Sequence, residues 1–434
     1  MVQTLWPTAE TIASPVRAQA EAARRAWRLL ARAGDPQRSA VLQHVARLLL
    51  EREEQVLAAN AEDVQRERTV GASESALDRL RLTPQRLTAL ANDVRSVAAL
   101  ADPLGELGPL RPLPNGMLVG QRRVPLGVIA IIYEGRPNVT VDAATLCIKA
   151  GNAVVLRGSR SALVSNRALA GILGEALNAA GLPAEAVQLV DSSSRESVGE
   201  LLRLRGLIDV AIPRGGADLI RYVAEQATVP VIETGAGVCH TYIDASADAA
   251  MAVDLVYNAK VRRPSICNAL DTVLVDQAAA AHVLPPLASA LLAAGVRLHC
   301  DAAADAALRQ AGIEGDIVPA TPDDWGHEYI SMDAAVAIVN GLDGALDHIA
   351  RYGSGHSEAI VTSQHDHAMR FLNEVDAAAV YVNASTQFTD GGQFGLGAEI
   401  GISTQKLHAR GPMGLREITT YKWVILGNGQ VRPA

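Results

Sequence analysis

Several features that mark secreted, membrane-bound or nucleic-acid-binding proteins are missing from this sequence. Its four cysteines are scattered over 434 residues, with no Cys-x-x-Cys pair and no N-terminal secretory signal, which is typical of a reducing cytosol. Apolar runs such as residues 126–132 are far shorter than the roughly 20 residues that cross a bilayer. The net charge is −8, and no arginine-rich stripe stands out. We therefore expect a cytoplasmic protein with no nucleic-acid and no membrane partner.

The common fingerprints of nucleotide and metal sites are also missing. No Gly-x-Gly-x-x-Gly follows the first predicted parallel strand, and no phosphate-binding Gly-x-x-x-x-Gly-Lys-Ser/Thr loop occurs. Cys239-His240 and His365-x-His367 are isolated pairs, which supply too few ligands for a metal site. We therefore expect no bound metal.

Lysine is scarce among the 39 basic residues. Only Lys149, Lys260, Lys406 and Lys422 are lysines, which leaves 39 − 4 = 35 arginines. A retained lysine can mark a position that the forked guanidinium group does not suit. Survival of four lysines by chance explains the pattern equally well, so both interpretations stay open.

Residues 126–234 alternate between short apolar strands and amphipathic helices. The predicted strands are residues 127–133, 153–156, 187–190, 209–212 and 229–232, and the helices between them are residues 139–150, 162–180, 195–204 and 217–227. Three helices are predicted before this region, at residues 15–33, 37–60 and 84–100. The pattern predicts an α/β protein with a parallel, doubly wound sheet covered on both faces.

A second alternating region follows residue 267. It is predicted to contain a helix at residues 278–294 that is interrupted at Pro285-Pro286, helices at 342–351 and 366–375, and strands at 296–299, 317–319, 335–339, 358–361 and 379–382. Two further strands, at residues 117–124 and 419–426, belong to neither region. The sequence therefore predicts a second α/β domain.

Ligands bind such sheets at the carboxyl ends of the strands, so the loops there are the candidate binding segments. These loops are residues 134–138, 157–160, 191–194, 213–216 and 233–237, and four of the five contain glycine, arginine or both. Glycine allows close backbone approach and arginine binds phosphate, which favours a phosphorylated cofactor. Turns from strand to helix also need glycine for steric reasons alone, so one loop by itself is weak evidence.

Cys267 lies in the connection between a predicted helix at residues 249–261 and a predicted strand at residues 272–275. Pro264 ends the helix, and Arg262 and Arg263 bring positive charge close in sequence, which favours the thiolate. A packing role is equally compatible with this local context. Packing is the interpretation for the other three cysteines, Cys147, Cys239 and Cys300.

Taken together, these segments resemble the aldehyde dehydrogenase superfamily and, within it, the γ-glutamyl phosphate reductases of proline biosynthesis. The matching segments are residues 124–128 (VPLGV), 133–143 (YEGRPNVTVDA), 151–158 (GNAVVLRG), 212–216 (IPRGG), 232–237 (IETGAG), 263–269 (RPSICNA) and 414–423 (GLREITTYKW). The segment around the cysteine is specific to the reductases, whereas the strand and glycine signals are shared across the superfamily.

The resemblance implies an aldehyde dehydrogenase-like architecture with three parts. These are a Rossmann-like cofactor domain at residues 1–107 and 125–237, a catalytic domain at residues 238–416, and a β oligomerisation extension at residues 108–124 and 417–434. It also implies a homo-oligomer and functional coupling to glutamate 5-kinase.

The implied activity is NADPH-dependent reduction of γ-glutamyl phosphate to glutamate 5-semialdehyde and phosphate. The resemblance assigns Cys267 as the nucleophile that forms a thioester, and Asn138 as a side-chain donor to the oxyanion. Glu233 matches the general base of the hydrolytic members, a role that a reductase does not need, so a structural or gating role is the alternative.

The implied cofactor is NADP. Its expected binding residues are Arg157, Gly158, Ser159, Arg160, Arg214, Gly215, Gly216 and Glu328. Arg160 stands where many NAD-dependent members carry a glutamate on the ribose hydroxyls, and an arginine there would attract a 2′-phosphate. Glu328 stands where a glutamate holds the nicotinamide ribose.

Two alternative functions stay open at this point. A hydrolytic or CoA-acylating aldehyde dehydrogenase would use the same thiol, and a phosphate requirement would separate it from an acyl-phosphate reductase. A catalytically inactive binding or scaffold protein on the same fold is the second alternative, and loss of the Cys267 thiol would then not impair its function.

Overall fold

The computed structural model describes residues 14–192, 194 and 196–432, which form two compact units. The first unit contains the described residues up to Ile232 together with those from Gly414 onward, and the second unit is Glu233–Met413. Ser193 of a candidate loop, Arg195 at the start of a predicted helix, and the outermost residues of the expected cofactor domain and extension lie outside the described residues. No helix among the described residues is long and apolar enough to span a membrane.

The first unit contains nine helices within its described residues and a four-stranded sheet. Its helices are α1 (Pro15–Leu30), α2 (Asp35–Glu51), α3 (Glu53–Thr69), α4 (Glu74–Leu80), α5 (Pro84–Ala99), α6 (Asn138–Lys149), α7 (Leu163–Ala179), α8 (Glu196–Leu201) and α9 (Ala217–Gln226). Its strands are β1 (Arg111–Pro112), β2 (Leu118–Pro125), β3 (Val128–Tyr133), β4 (Ala153–Arg157), β5 (Val187–Leu189), β6 (Val210–Arg214) and, after the second unit, β16 (Thr419–Leu426).

The central sheet of this unit is parallel, with the strand order β5-β4-β3-β6. Every residue of β3 and β4 is buried, because helices α1, α6, α7 and α9 pack on the sheet. Helices α2, α3 and α5 pack in turn on α6 and α7. The predicted parallel sheet is confirmed, but the predicted strand at residues 229–232 is reduced to a single bridge between Val231 and Ala211.

One predicted helix of the N-terminal layer is two helices. The helical spacing of residues 37–60 predicted a single helix, but the chain leaves helical geometry at Arg52 (φ −106°, ψ 19°), between α2 and α3. Neither proline nor glycine lies at the break, so no local signal in the sequence indicated it.

The two strands that belonged to neither predicted α/β region pair with each other. β2 and β16 form an antiparallel ladder from Leu118↔Leu426 to Pro125↔Thr419, and β1 pairs with the other edge of β2. The result is a separate three-stranded sheet.

The second unit is built around a seven-stranded parallel sheet with the order β10-β9-β11-β8-β7-β12-β13. Its strands are β7 (Cys239–Ile243), β8 (Leu270–Asp276), β9 (Arg297–Cys300), β10 (Ile317–Pro319), β11 (Asp333–Val339), β12 (Ser357–Val361), β13 (Ala379–Val382), and the short pair β14 (Ile402–Ser403) and β15 (Gly411–Pro412). Its helices are α10 (Ala249–Val261), α11 (Ala280–Ala293), α12 (Ala302–Gln310), α13 (Gly341–Tyr352) and α14 (His365–Glu374).

Two apolar cores cover the two faces of this sheet. Val273 and Val275 of β8 pack with α10, α11 and α12, whereas Leu274 between them packs with α13 and α14. Alternate residues of a strand point to opposite faces, so helices cover both faces of this sheet, and the predicted second α/β domain is confirmed.

Helix α11 runs through Pro285 and Pro286, although the sequence predicted an interruption there. The neighbouring residues Leu284 and Leu287 are almost fully buried, and Pro286 lies on the exposed side. Burial of the leucines therefore keeps the helix continuous despite the missing backbone donors.

A buried carboxylate joins α3 to the start of α7. Asp63 is fully buried, and its Oδ2 accepts hydrogen bonds from the backbone N–H and the hydroxyl of Ser165, both at 2.7 Å. Its Oδ1 accepts a hydrogen bond from Arg66 at 2.5 Å. Because the first N–H groups of a helix have no partner within the helix, Asp63 acts as a cap from a neighbouring helix.

We predict that Asp63→Ala lowers the free energy of unfolding by about 2–4 kcal/mol, because it leaves buried donors without an acceptor. Urea unfolding followed by circular dichroism measures the change. The control is Asp78→Ala, which removes an exposed ion pair with Arg86 and should cost no more than about 0.5 kcal/mol. Equal losses in the two variants would contradict this account of Asp63.

Candidate active site

Cys267 lies in the turn between α10 and β8, as the sequence predicted, and is half-buried. The residue after it, Asn268, is buried, and its side-chain amide donates to the carbonyl oxygens of Gln387 (3.2 Å) and Thr389 (2.9 Å). Thr386 donates its hydroxyl hydrogen to the carbonyl oxygen of Asn268 at 2.8 Å. Hydrogen bonds to residues 386–389 therefore hold the backbone turn that carries the thiol.

Arg262 takes part in the same scaffold. Its Nε donates a 2.5 Å hydrogen bond to the side-chain oxygen of Gln387, whose Nε2 donates to the carbonyl oxygens of Ala259 and Arg263. The side chain of Arg262 is therefore part of the hydrogen-bonded scaffold that holds the turn around Cys267.

Gly237 makes the closest backbone approach to the turn. A Cβ atom at this position would lie 1.7 Å from the carbonyl oxygen of Cys267 and 2.8 Å from its Cα, so only glycine fits. Two residues later, the buried Cys239 thiol donates a 3.3 Å hydrogen bond to the same carbonyl oxygen. The segment from Gly237 to the start of β7 thus packs directly on Cys267, the candidate nucleophile.

Glu328 belongs to the same cluster. Its carboxylate accepts a hydrogen bond from the backbone N–H of Gly237, and burial raises its pKa while that bond opposes the rise. Ile330, two residues later, has a φ of 54°, a left-handed conformation that costs a β-branched residue about 1–3 kcal/mol. Such strain persists only where surrounding contacts hold the backbone, and it is concentrated at functional sites.

The other three cysteines differ from Cys267 in burial. Burial raises the pKa of Cys300 to about 12 and also raises the pKa values of Cys147 and Cys239. Cys147 and Cys300 are buried among the apolar core residues, in agreement with their expected packing role. Cys267 is the half-buried thiol of the four.

Glu233 is held by its backbone. Its N–H donates to the side-chain oxygen of Gln405 at 2.7 Å, and the next residue, Thr234, pairs with Ser403 in an antiparallel bridge. A Cβ atom on Gly235 would lie 2.2 Å from the hydroxyl oxygen of Thr404. The segment that begins with Glu233 is therefore anchored on residues 403–405.

In the first unit, three of the candidate loops meet at the carboxyl edge of the parallel sheet. The backbone N–H of Gly135, after β3, donates to the Ser159 hydroxyl, after β4, at 3.1 Å. The Glu134 carboxylate accepts a 3.2 Å hydrogen bond from Gly216, the N-cap residue of α9, and packs on Gly215. The predicted loops therefore come together, as the parallel sheet requires.

Arg157 and Arg160 have different surroundings in the loop after β4. Arg157 is only 9% exposed, and its guanidinium donates to the carbonyl oxygens of Gly158 (3.1 Å) and Ser194 (2.9 Å). Arg160 is exposed, and its carbonyl oxygen accepts a 2.9 Å hydrogen bond from Arg66. Arg157 thus organises the loop, whereas Arg160 presents a guanidinium to solvent. Gly158 is required sterically, because a Cβ atom there would lie 2.2 Å from the Asn166 amide.

Asn138 is the first residue of α6, and its side-chain amide donates to Asp142 at 2.8 Å. Burial raises the pKa of Asp142 to about 7, while the bond from Asn138 and the positive charge of Arg214 oppose the rise. Arg214, half-buried at the end of β6, therefore lies within electrostatic range of this pair.

The chemistry of this edge fits a phosphorylated dinucleotide. Arg160 and Arg214 supply cations, and the first turn of α9 supplies backbone N–H groups of the kind that bind phosphate. Gly216 faces open space, so ligand can approach its backbone closely. Among residues 14–192, 194 and 196–432, no three histidine, cysteine, aspartate or glutamate side chains could together hold a metal ion.

Sequence reasoning missed several residues that position these loops. Asp63 and Arg66 of α3 hold the segment that contains Arg160, and Gly237 packs on Cys267. The motif at residues 232–237 pointed to glycine at position 237, but its contact joins residues 30 positions apart in sequence. Lys260 is fully buried, and the sequence pointed to it only through the retention of a lysine in an arginine-rich chain.

The chain is similar in sequence to one family of known proteins. Residues 3–306 match the family model of the aldehyde dehydrogenase family. The chain is 52% identical over 417 residues to γ-glutamyl phosphate reductase of Dehalococcoides mccartyi (strain CBDB1), covering 96% of this chain and 98% of the relative. The γ-glutamyl phosphate reductase of Thermobifida fusca (strain YX) is 53% identical over 417 residues, with the same coverage of both chains.

Structural comparison gives the same result. The crystal structure of γ-glutamyl phosphate reductase from Thermotoga maritima matches with a TM-score of 0.93 at 43% identity, covering 97% of this chain and 100% of that chain. The expected aldehyde dehydrogenase-like fold is thereby confirmed. The chain belongs to the aldehyde dehydrogenase family and, within it, to the γ-glutamyl phosphate reductases.

Proposed function

We propose that this protein reduces L-glutamyl 5-phosphate to L-glutamate 5-semialdehyde and phosphate with NADPH, as a step of proline biosynthesis. The observation that carries the proposal is the cluster around Cys267, where a half-buried thiol lies on a rigid turn that contacts Gly237. Gly237 in turn binds Glu328, the residue proposed to hold the nicotinamide ribose. The names and identities of the relatives support the choice of substrate.

In the proposed reaction, the Cys267 thiolate attacks the acyl carbon of the substrate and forms a tetrahedral oxyanion. The bond from this carbon to the phosphate oxygen then breaks, phosphate leaves, and a thioester remains on the sulfur. NADPH, when bound, supplies the hydride that reduces the thioester carbon. Collapse of the resulting thiohemiacetal releases the aldehyde and returns the thiolate.

The proposal assigns the oxyanion to the backbone N–H of Cys267 and the side-chain amide of Asn138. The Asn138 amide donates one hydrogen to Asp142 and has a second hydrogen to give. Donors that are held in place before the reaction stabilise the developing charge without having to reorganise. Glu233 has a structural role in this proposal, because hydride transfer to the thioester requires no deacylating water.

For the cofactor, the proposal assigns the 2′-phosphate to Arg160 and the nicotinamide ribose to Glu328. Gly158, Ser159, Arg214, Gly215 and Gly216 would line the remaining phosphate and ribose contacts, and Arg157 would hold the loop in shape. Exposure of the Arg160 guanidinium supports its assignment, because a buried, fully bonded arginine could not reach a ligand.

We also propose a homo-oligomer in which the sheet of β1, β2 and β16 takes part. Tyr421, Trp423 and Ile425 alternate along β16 and are each more than half exposed. Alternate residues share one face of a strand, so these side chains form one apolar surface. A surface of this kind on a soluble domain marks an interaction site.

The first prediction from the proposed function concerns the thiol. Cys267→Ala should lower kcat by about 10⁴-fold or more, because no other group replaces the nucleophile. The assay uses enzymatically generated γ-glutamyl phosphate and NADPH, and Cys300→Ala, which removes a buried thiol, is the control that retains activity. Full turnover by Cys267→Ala would refute the mechanism, and semialdehyde oxidation with no phosphate requirement would refute the acyl-phosphate substrate.

The second prediction concerns cofactor choice. Arg160→Glu should reduce the ratio of kcat/KM for NADPH over NADH by about 10- to 100-fold, because a carboxylate repels the 2′-phosphate that the guanidinium attracts. Arg309→Glu, at another exposed arginine, in α12, is the charge-matched control and should leave the ratio unchanged. An unaltered ratio in Arg160→Glu, or equal use of both cofactors by the wild type, would count against the assignment.

The third prediction concerns assembly. Trp423→Asp should shift the protein toward a smaller species in sedimentation velocity, because a charge would have to be buried in the proposed interface. Leu29→Asp places the same charge at an exposed leucine of α1 and should leave the sedimentation coefficient unchanged. A monomeric wild type, or a Trp423→Asp protein of unchanged mass, would exclude the proposed role of this sheet.

A further inference from the structure

Asp271 joins the two segments that meet at Cys267. It lies in β8, four residues after the nucleophile, and is 2% exposed. Its Oδ1 accepts a 3.1 Å hydrogen bond from the backbone N–H of Tyr329, the residue after Glu328. Its Oδ2 accepts a 3.4 Å hydrogen bond from the backbone N–H of Cys239 at the start of β7. One carboxylate therefore bridges the Glu328 segment and the strand that packs on the cysteine turn.

Further contacts close this bridge into a ring. The Cys239 thiol donates to the carbonyl oxygen of Cys267, and Gly237 packs on that same carbonyl group. The N–H of Gly237 donates to Glu328, which is covalently adjacent to Tyr329. Asp271 is thus connected to Glu328 through Tyr329, and to the Cys267 backbone through Cys239.

Lys260 is the cationic partner of Asp271. Its ammonium group is fully buried, lies 3.9 Å from Asp271 and donates a 2.9 Å hydrogen bond to the carbonyl oxygen of Leu270. It also lies 5.6 Å from the centre of the Tyr329 ring, within range of a cation–π contact. A buried ion pair contributes little to stability compared with apolar residues, so its value here lies in fixing geometry.

The segment that Asp271 holds is one that requires external contacts. Ile330 follows Tyr329 with a φ of 54°, a conformation that a β-branched residue keeps only when its surroundings impose it. The hydrogen bond from the Tyr329 N–H to Asp271 fixes the backbone of the residue directly before the strained one. Loss of the bond would let the backbone relax and would displace Glu328.

We propose that Asp271, supported by Lys260, is a positioning residue that sets Glu328 for nucleotide binding and keeps it in register with Cys267. This inference rests on the proposed function, because it takes NADPH as the ligand of Glu328. Asp271 touches neither substrate nor cofactor and acts through the two backbone N–H groups that it binds.

The test uses Asp271→Asn, which keeps the side-chain volume but can accept only one of the two hydrogen bonds. The Kd for NADPH, measured by fluorescence without substrate, should rise about tenfold, the effect of losing one charged hydrogen bond. The KM for γ-glutamyl phosphate should stay within about twofold of the wild type, because the substrate contacts are unchanged. In the double variant with Glu328→Gln, the Kd should match that of Glu328→Gln alone, since Asp271 acts through Glu328.

The matched control is Asp276→Asn, at the other end of β8. Asp276 is also buried, and it accepts hydrogen bonds from the Tyr242 hydroxyl and the Ala278 N–H, both at 2.8 Å. This variant should lower the melting temperature without changing the Kd for NADPH. If Asp271→Asn does not fold, Lys260→Met removes the buried cation and is measured by the same criteria.

The outcomes separate this inference from the function on which it rests. An unchanged Kd in Asp271→Asn, an equal rise in Asp276→Asn, or additive losses in the double variant would each overturn the positioning role alone. A wild-type protein that does not bind NADPH would instead refute the proposed cofactor and this inference with it.

Discussion

The candidate active site depends on the close backbone contact between Gly237 and Cys267. No side chain fits at position 237, because its Cβ would overlap the carbonyl oxygen of the cysteine. This contact fixes the distance between the turn that carries the thiol and strand β7, which begins two residues after Gly237. The backbone N–H of the same glycine donates a hydrogen bond to the Glu328 carboxylate and holds it in place. The second unit therefore holds a nucleophile and a candidate ribose ligand on one rigid frame.

The first unit achieves the same rigidity by different contacts. Three loops at the carboxyl edge of the parallel sheet are tied by backbone N–H groups to the side chains of Ser159 and Glu134. Helix α3 holds the loop with Arg160 from outside through Asp63 and Arg66. Because these supports are buried or bonded, the exposed arginine is presented from a fixed backbone, which limits the entropy lost when a ligand binds.

The sequence predicted the elements whose signals are local. The strands at residues 317–319, 379–382 and 419–426 and the helix at residues 249–261 were predicted to the residue, because apolar periodicity and turn residues mark their ends. The break at Arg52, the strand β7 and the continuous helix at Pro285 were not, since tertiary packing decides them. In the site, motifs indicated Cys267 and Glu328, but the bridging role of Asp271 joins residues 32 and 58 positions apart and has no local signal.

The claim that Cys267 forms a covalent bond with the substrate has one most direct test. The protein is mixed with enzymatically generated γ-glutamyl phosphate in the absence of NADPH, quenched with acid, and examined by intact-mass and peptide mass spectrometry. The account predicts a mass increase of one glutamyl group, located on the peptide that contains Cys267. An adduct on another residue, or an unmodified protein under conditions that support turnover once NADPH is added, would contradict it.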